Sequence, residues 1–324
     1  MIADDQIRAA IPGALNHVDI SGIGTRLEGK VRDMYKMDDR RVLITTDRVS
    51  AFDRVLGTIP FKGQVLTQLS AWWFDQLSDV VGHHLIDLPD PNVMLAHEAQ
   101  TLPVEVIVRG YITGSTSTSL WTLYKDGVDR PYGLDLPKGL VKNSRLPHPV
   151  ITPTTKAERG EHDERLTCDE VLERGLVEPG LWDQVQTVAL EIFRRGQEVA
   201  DKAGLILVDT KYEFGMIGGK LCLIDEVHTP DSSRYWVKDS YDAAMAAGEA
   251  PKQFDKEHLR LWLKSVGYSG DGPNPPLTED IKAEVSARYI SAYERLTGLE
   301  FVPGAQPVAA RIEKALKTLT GDAK

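Results

Sequence analysis

The chain uses two hydrophobic spacings, and the shorter one dominates its first hundred residues. "RLEGKVRDMYKM" and "RRVLITTDRV" flank Asp38-Asp39 and predict a hairpin. "GQVLTQLSAWWFDQLSDVV" places Val65, Leu69, Trp72, Trp73, Leu77 and Val80 at the spacing of an amphipathic helix. "LPVEVIVRGYI" returns to period two, with Val104, Val106 and Val108 on one face of a strand. "GSTSTSLWTLYKDG" predicts a loop entering a helix capped by Ser or Thr. Residues 128–160 are rich in Pro and Gly and carry no clear period. "EPGLWDQVQTVALEIFRRGQEVADKAG" predicts a helix with Pro179 near its first position and Gly204 at its end. Helical patterns recur at "YDAAMAAG" and "DKEHLRLWLKSVG", and after the linker-like "GDGPNPP" at "TEDIKAEVSARYISAYERLTG" and "PVAARIEKALKTL". Mixed strands first and helices last predict an α+β or α/β fold. The strand "LPVEVIVRGYI" is read as carrying the chain from a small strand-rich unit, 1–108, into a larger one, 109–324.

One late pair of strands breaks the apolar pattern. "GLILV" runs into "DTKYEFG", which alternates Asp209, Lys211 and Glu213 with Thr210, Tyr212 and Phe214. Three charges on one face of a strand that begins in the core are costly unless each finds a partner, an ion or water. This is either a solvated ladder of ion pairs or a site. The turn "IGG" brings "KLCLIDEV" back beside it. A two-residue turn at Gly218-Gly219 sets Ile224 opposite Glu213, whereas an odd loop or bulge puts Asp225 on the face of Glu213 and Lys211. The second register is the one expected. Two carboxylates converging beside a lysine suit Mg²⁺ held between acids and nucleotide phosphates.

Composition narrows the classes. With 324 residues, 42% hydrophobic and 27% charged, the chain can bury a sizeable core. A formal charge of -10 argues against a dedicated nucleic-acid surface. No apolar run approaches the ~20 residues of a membrane span, and the acidic N-terminus does not read as a signal peptide. Two cysteines without motif spacing suggest a reducing compartment, so a cytoplasmic protein is expected. Oligomeric state is not encoded in any of these features.

Further polar clusters are candidates for phosphate chemistry. Gly29, Lys30 and Arg32 set a glycine beside alternating cations, although no GxxxxGK[ST] or GxGxxG pattern occurs. Arg109 ends an apolar strand, and Gly114-Ser115 is read as opening a helix whose N–H groups attract phosphate. Ordinary capping is the alternative. "TTDRVSAFD" carries Asp47, Arg48, Ser50 and Asp53; "TPTTKAERGEHDE" carries Lys156, Glu158, Glu161, His162 and Asp163 in a loop. The two His of "GHHL" and His228 lack metal-ligand spacing.

In order and wording, "GKVRDMY", "TTDRVSAFD", "VEVIVRGYITGS", "ITPTTKAERGEHDE", "DTKYEFG" and "IDEVHTPDSSRYW" resemble the successive signatures of the SAICAR synthetase family, from Gly29 to Trp236. The resemblance implies a two-lobed, ATP-grasp-like fold, a small strand-rich lobe over a larger α/β lobe with C-terminal helices. It implies small-molecule partners: ATP with Mg²⁺, carboxyaminoimidazole ribotide and L-aspartate, giving ADP, phosphate and the succinocarboxamide. It implies Gly29, Lys30 and Arg32 at the ATP phosphates, and Glu213 and Asp225 as Mg²⁺ ligands. It implies Lys211 at the substrate carboxylate, with Asp209 orienting it or the imidazole. Arg109, Ser115 and Arg234 match the clamp for the ribotide 5′-phosphate. Ser50, Asp53 and Lys156 fall in loops that the resemblance assigns to substrate.

Overall fold

Both spacings fold as written, and the strands separate into two main sheets. The structure is a computed structural model that describes residues 2–52, 54–156, 163–254 and 257–319. Along the chain come helix α1 (Asp4–Ala10), β1 (Thr25–Glu28), β2 (Arg32–Lys36), β3 (Arg40–Thr45), and the hairpin β4 (Arg48–Ala51) and β5 (Arg54–Thr58). Helix α2 (Lys62–Gln76) leads to β6 (Gly82–His83), β7 (Leu85–Asp90), β8 (Val93–His97) and β9 (Gln100–Tyr111). Then follow α3 (Leu120–Lys125), β10 (Arg145–Ile151), β11 (Thr154–Thr155), α4 (Cys168–Glu173) and α5 (Pro179–Lys202). The last strands are β12 (Leu205–Ile217), β13 (Lys220–Ile224) and β14 (Ser233–Val237), and α6 (Tyr241–Ala247), α7 (Glu257–Ser265), α8 (Glu279–Thr297) and α9 (Val308–Leu319) close the chain.

The first sheet has the order β1-β2-β3-β8-β7. The second runs β10-β9-β12-β13-β6, with β11 on β9 and β14 on β12. The fold is thus mixed α and β with several sheets. Strand β12 is its axis: β9 lies along one edge, while β14 covers the first half of the other edge and β13 the second half. Both edges being paired, its charges cannot belong to a solvated sheet edge. Strand β9 passes through Val108 and Arg109 without a break. The first sheet has its own core, in which Tyr35, Val42, Ile44, Val93 and Leu95 meet Val308, Ile312 and Leu316 of the C-terminal helix.

Two local expectations are corrected. The β12–β13 turn has two residues, Gly218 and Gly219, both with positive φ (56° and 78°), so Glu213 pairs with Ile224 and no bulge shifts the register. Two adjacent left-handed residues are what a twist-matched two-residue hairpin requires, and Gly-Gly supplies them without strain. Helix α3 starts at Leu120 with Ser119 as its cap, so Gly114-Ser115 lies in the preceding loop rather than at a helix start. The Pro- and Gly-rich stretch holds the edge strand β10, whose pairing with β9 is irregular between Arg145 and Val150.

Helix α5 buries Trp182, Val185, Ala189, Ile192 and Phe193, and it packs on β12. Gly196 in its middle is there for space. A Cβ would lie 2.3 Å from His228 Cε1 and 2.7 Å from Leu207 Cδ2. Alanine is favoured over glycine in a helix by ~1 kcal/mol, but overpacking a filled core costs ~1–3 kcal/mol. Because both neighbours are fully buried, the clash should win. Gly196→Ala is therefore expected to destabilise by up to about 2 kcal/mol net, read from chemical denaturation; a more stable variant would show that His228 has room to move.

Candidate active site

The alternation on β12 puts Asp209, Lys211 and Glu213 on one face and Tyr212 and Phe214, both fully buried, on the other. Each charge has partners. Lys211 Nζ donates to Glu105 Oε1 at 2.6 Å and to Glu213 Oε1 at 2.8 Å, and Lys156 Nζ donates to Glu213 Oε2. Burial pushes the Glu213 carboxyl up, but Lys211 and Lys156 overcome it and hold it below the ordinary range. Burial also works against the Lys211 ammonium, and Glu213 and Glu105 reverse that, raising it above its ordinary value. Lys211 is therefore a fixed cation, suited to neutralising negative charge and not to taking a proton. Glu105 is raised by burial, with Lys211 pulling the other way.

Asp225 reaches the same space by a different route. Ile224 is the last residue of β13, and Asp225 adopts φ +66°, a left-handed conformation in which strand parity no longer applies. Its carboxylate pairs with Arg32, which also lies 3.6 Å from Glu226. Glu213 and Asp225 line one cavity of about 520 Å³, together with Gly29, Lys30, Arg32 and Lys156. The cavity lies between the β1–β2 turn of the first sheet and the ends of β12 and β13 in the second. Two separated oxygen donors, each already facing cations, match the chemistry of a divalent ion that binds through one or two carboxylates and completes its shell with phosphate and water. Among the described residues no cluster of three or more metal-type ligands occurs, so such an ion would depend on these two acids.

A second cavity, about 690 Å³, gathers Arg109, Ser115 and Arg234. Asp209 lies between the two arginines, 3.0 Å from Arg109 Nη1 and 3.4 Å from Arg234 Nη1. Its partners are thus the arginines and not Lys211. Thr152 Oγ1 accepts from Arg109 Nε at 2.8 Å, which fixes the guanidinium plane. Lys142, Arg260, Lys264 and Arg288 add charge to the walls, with no carboxylate among the described residues of the lining.

Other sequence candidates are placed differently. Ser50 lies in β4 and lines neither cavity. Asp53, Glu158, Glu161 and His162 lie outside the described residues. His84 and His228 are buried; burial lowers each to about 3, so both are neutral core groups. Glu105 was missed although it carried a signal: it is the one charge within "VEVIV", four residues before Arg109 and on its face.

The fold is mixed α and β, with one cavity walled by arginines and lysines and another that holds a pair of acids beside cations. A family model, SAICAR synthetase, matches residues 25–275. The phosphoribosylaminoimidazole-succinocarboxamide synthase of Legionella pneumophila is 47% identical over 286 residues, 88% of this chain and 91% of that protein. The solved SAICAR synthase of Saccharomyces cerevisiae, complexed with SAICAR, is 34% identical with a TM-score of 0.78, covering 90% of this chain and 100% of that one. A Type-2 SAICAR synthetase in complex with ADP shares the fold, at 23% identity and a TM-score of 0.65, over 86% of this chain and 100% of that one. The chain belongs to the SAICAR synthetase family, ligases of purine biosynthesis. No helix among the described residues is long and apolar enough to cross a membrane.

Proposed function

We propose that this chain joins L-aspartate to carboxyaminoimidazole ribotide at the expense of ATP, through an acyl phosphate, releasing ADP and phosphate. The observation that carries the reading is the pair of cavities on one strand face. Arg109 and Asp209 are opposite each other at one level of the sheet, and Glu105 and Glu213 at another. Four residues separate the levels, ~13 Å at the usual rise of a strand. A ribotide laid along β12 can then present its phosphate to Arg109, Ser115 and Arg234 and its imidazole carboxylate to Lys211.

A carboxylate is a poor electrophile, so phosphorylation must precede attack by the aspartate amine, and such transfer relies on positioning and charge neutralisation. In this reading Gly29, Lys30 and Arg32 hold the ATP polyphosphate from the first sheet. Glu213 and Asp225 would hold Mg²⁺, which supplies charge neutralisation at the phosphates when bound. Lys211, kept cationic by Glu105 and Glu213, draws the substrate carboxylate toward the nucleotide. Asp209 keeps Arg109 and Arg234 parallel for a forked phosphate contact. Lys156, which touches Glu213, is assigned to substrate together with Ser50 and Asp53 of the sequence stretch "SAFD", with aspartate the unplaced one. The unit 1–108, which contains the first sheet and to which α9 returns, acts as an ATP-grasp-like covering lobe over a larger lobe of 109–324, with β9 running from one into the other. The site is proposed to act in the cytoplasm.

The test is coupling. ADP release should require both the ribotide and L-aspartate, with one succinocarboxamide formed per ADP. Equal ADP release with another amine or another carboxylate acceptor would overturn the assignment.

A further inference from the structure

The motif "TTDRVSAFD" holds two residues, Thr46 and Arg48, that the proposed chemistry does not use. Neither lines the nucleotide cavity. Arg48 is 5% exposed and Thr46 is fully buried. Their side chains face the turn between β1 and β2. Arg48 Nη2 donates to the Gly29 carbonyl at 3.0 Å, and Nε donates to the Lys30 carbonyl at 3.0 Å. Thr46 Oγ1 donates to the Val31 carbonyl at 2.8 Å, and the Thr46 N–H donates to the same oxygen at 3.1 Å. Three consecutive carbonyls are thus drawn toward one side. The guanidinium is itself fixed, by the Asn16 carbonyl at 2.6 Å and by Asp33 Oδ1 at 2.9 Å. Asp33 is fully buried, and its other oxygen accepts from Val18 N–H at 2.8 Å.

In a trans peptide the C=O and the N–H of one unit point in opposite directions. With the carbonyls of Gly29, Lys30 and Val31 held inward, the amides of Lys30, Val31 and Arg32 are aimed the other way, toward the cavity that these residues line. Successive amides facing one concavity form an anion-binding nest. We propose that Arg48 and Thr46 are positioning residues that shape the Gly29–Arg32 turn into a backbone cradle for the polyphosphate of a nucleoside triphosphate. The cradle explains how a turn without a P-loop or GxGxxG pattern holds phosphate: the conformation that glycines set elsewhere is imposed here by a buried guanidinium fork. The proposal rests on the nucleotide reading given above.

The test uses the full chain and three variants. Arg48→Lys keeps a cation beside Asp33, but a single ammonium cannot serve both carbonyls and the carboxylate in the fork geometry. Thr46→Val removes one hydroxyl at nearly constant volume. Lys30→Ala probes the nucleotide reading itself. The readouts are the KM for ATP, competitive inhibition by ADP and by adenosine, the KM for the ribotide, and Tm. Arg48→Lys should raise the ATP KM and weaken ADP inhibition about tenfold or more, and Thr46→Val about threefold, on the scale of lost hydrogen bonds to a charged ligand. Adenosine inhibition and the ribotide KM should stay within about twofold, since neither depends on the cradle. A lower Tm with an unchanged ratio of ADP to adenosine inhibition would assign both residues to stability alone and overturn the proposal. If Arg48→Lys does not fold, that ratio in Thr46→Val decides. A wild-type ATP KM in Lys30→Ala, together with no competition between ADP and ATP in the wild type, would instead remove the nucleotide reading, whatever the other variants do.

Discussion

Glu213→Gln should lower turnover by about a thousandfold or more while the protein stays folded. The substitution keeps the shape and removes one charge, and a charge at a phosphoryl-transfer site stabilises the transition state by several kcal/mol. Its folding cost should be smaller. Lys211 keeps Glu105 at 2.6 Å, and Lys156, whose side chain is 39% exposed, can turn into water. The stability effect has a defined pH dependence. The folded Glu213 carboxyl titrates below its ordinary range because Lys211 and Lys156 overcome burial. Its contribution is present above the unfolded value of about 4.3 and is lost as the pH falls through the lower folded value. The stability gap between wild type and variant should therefore hold at pH 7 and close only in acid, as read by urea denaturation. Near-normal turnover at low Mg²⁺ would remove Glu213 from the site.

Arg234→Ala should raise the KM for the ribotide about 10- to 100-fold with a small change in kcat. A forked arginine–phosphate contact is worth ~1.5–3 kcal/mol. Here Arg234 lines the cavity that also gathers Arg109 and Ser115. Asp209 would not be stranded, because Arg109 remains 3.0 Å away. The loss should thus fall on ligand binding and not on folding. An unchanged ribotide KM would show that the phosphate is held elsewhere on that cavity wall, where Arg260, Lys264 and Arg288 also stand.

Helices were the most legible part of the sequence, because their apolar stripes are long: α2, α5, α8 and α9 all fall where the spacing predicts. The charged face of β12 was legible for the same reason, since alternation is a property of one strand. Relations between strands were harder. The expected odd loop at Gly218 was an inference from polarity, that the even register would set Ile224 among the charges; the chain keeps the even register and turns Asp225 by a single left-handed residue instead. Nothing local distinguishes that aspartate from one continuing a strand. Lys156 at Glu213 and Glu105 at Lys211 required knowing that β9 and the segment after β11 border β12, which is topology and not pattern. The fork of Arg48 was hidden likewise, for its partners are carbonyls, which any sequence would supply.

Glu213 and Asp225, proposed to serve one divalent ion, come from a strand and from the turn after its neighbour. Titration of Mn²⁺ into the protein saturated with ADP, followed by electron paramagnetic resonance, addresses this without turnover. One bound ion per chain is expected in the wild type, with its affinity reduced at least about tenfold in both Glu213→Gln and Asp225→Asn. Wild-type affinity in either variant would contradict a shared site.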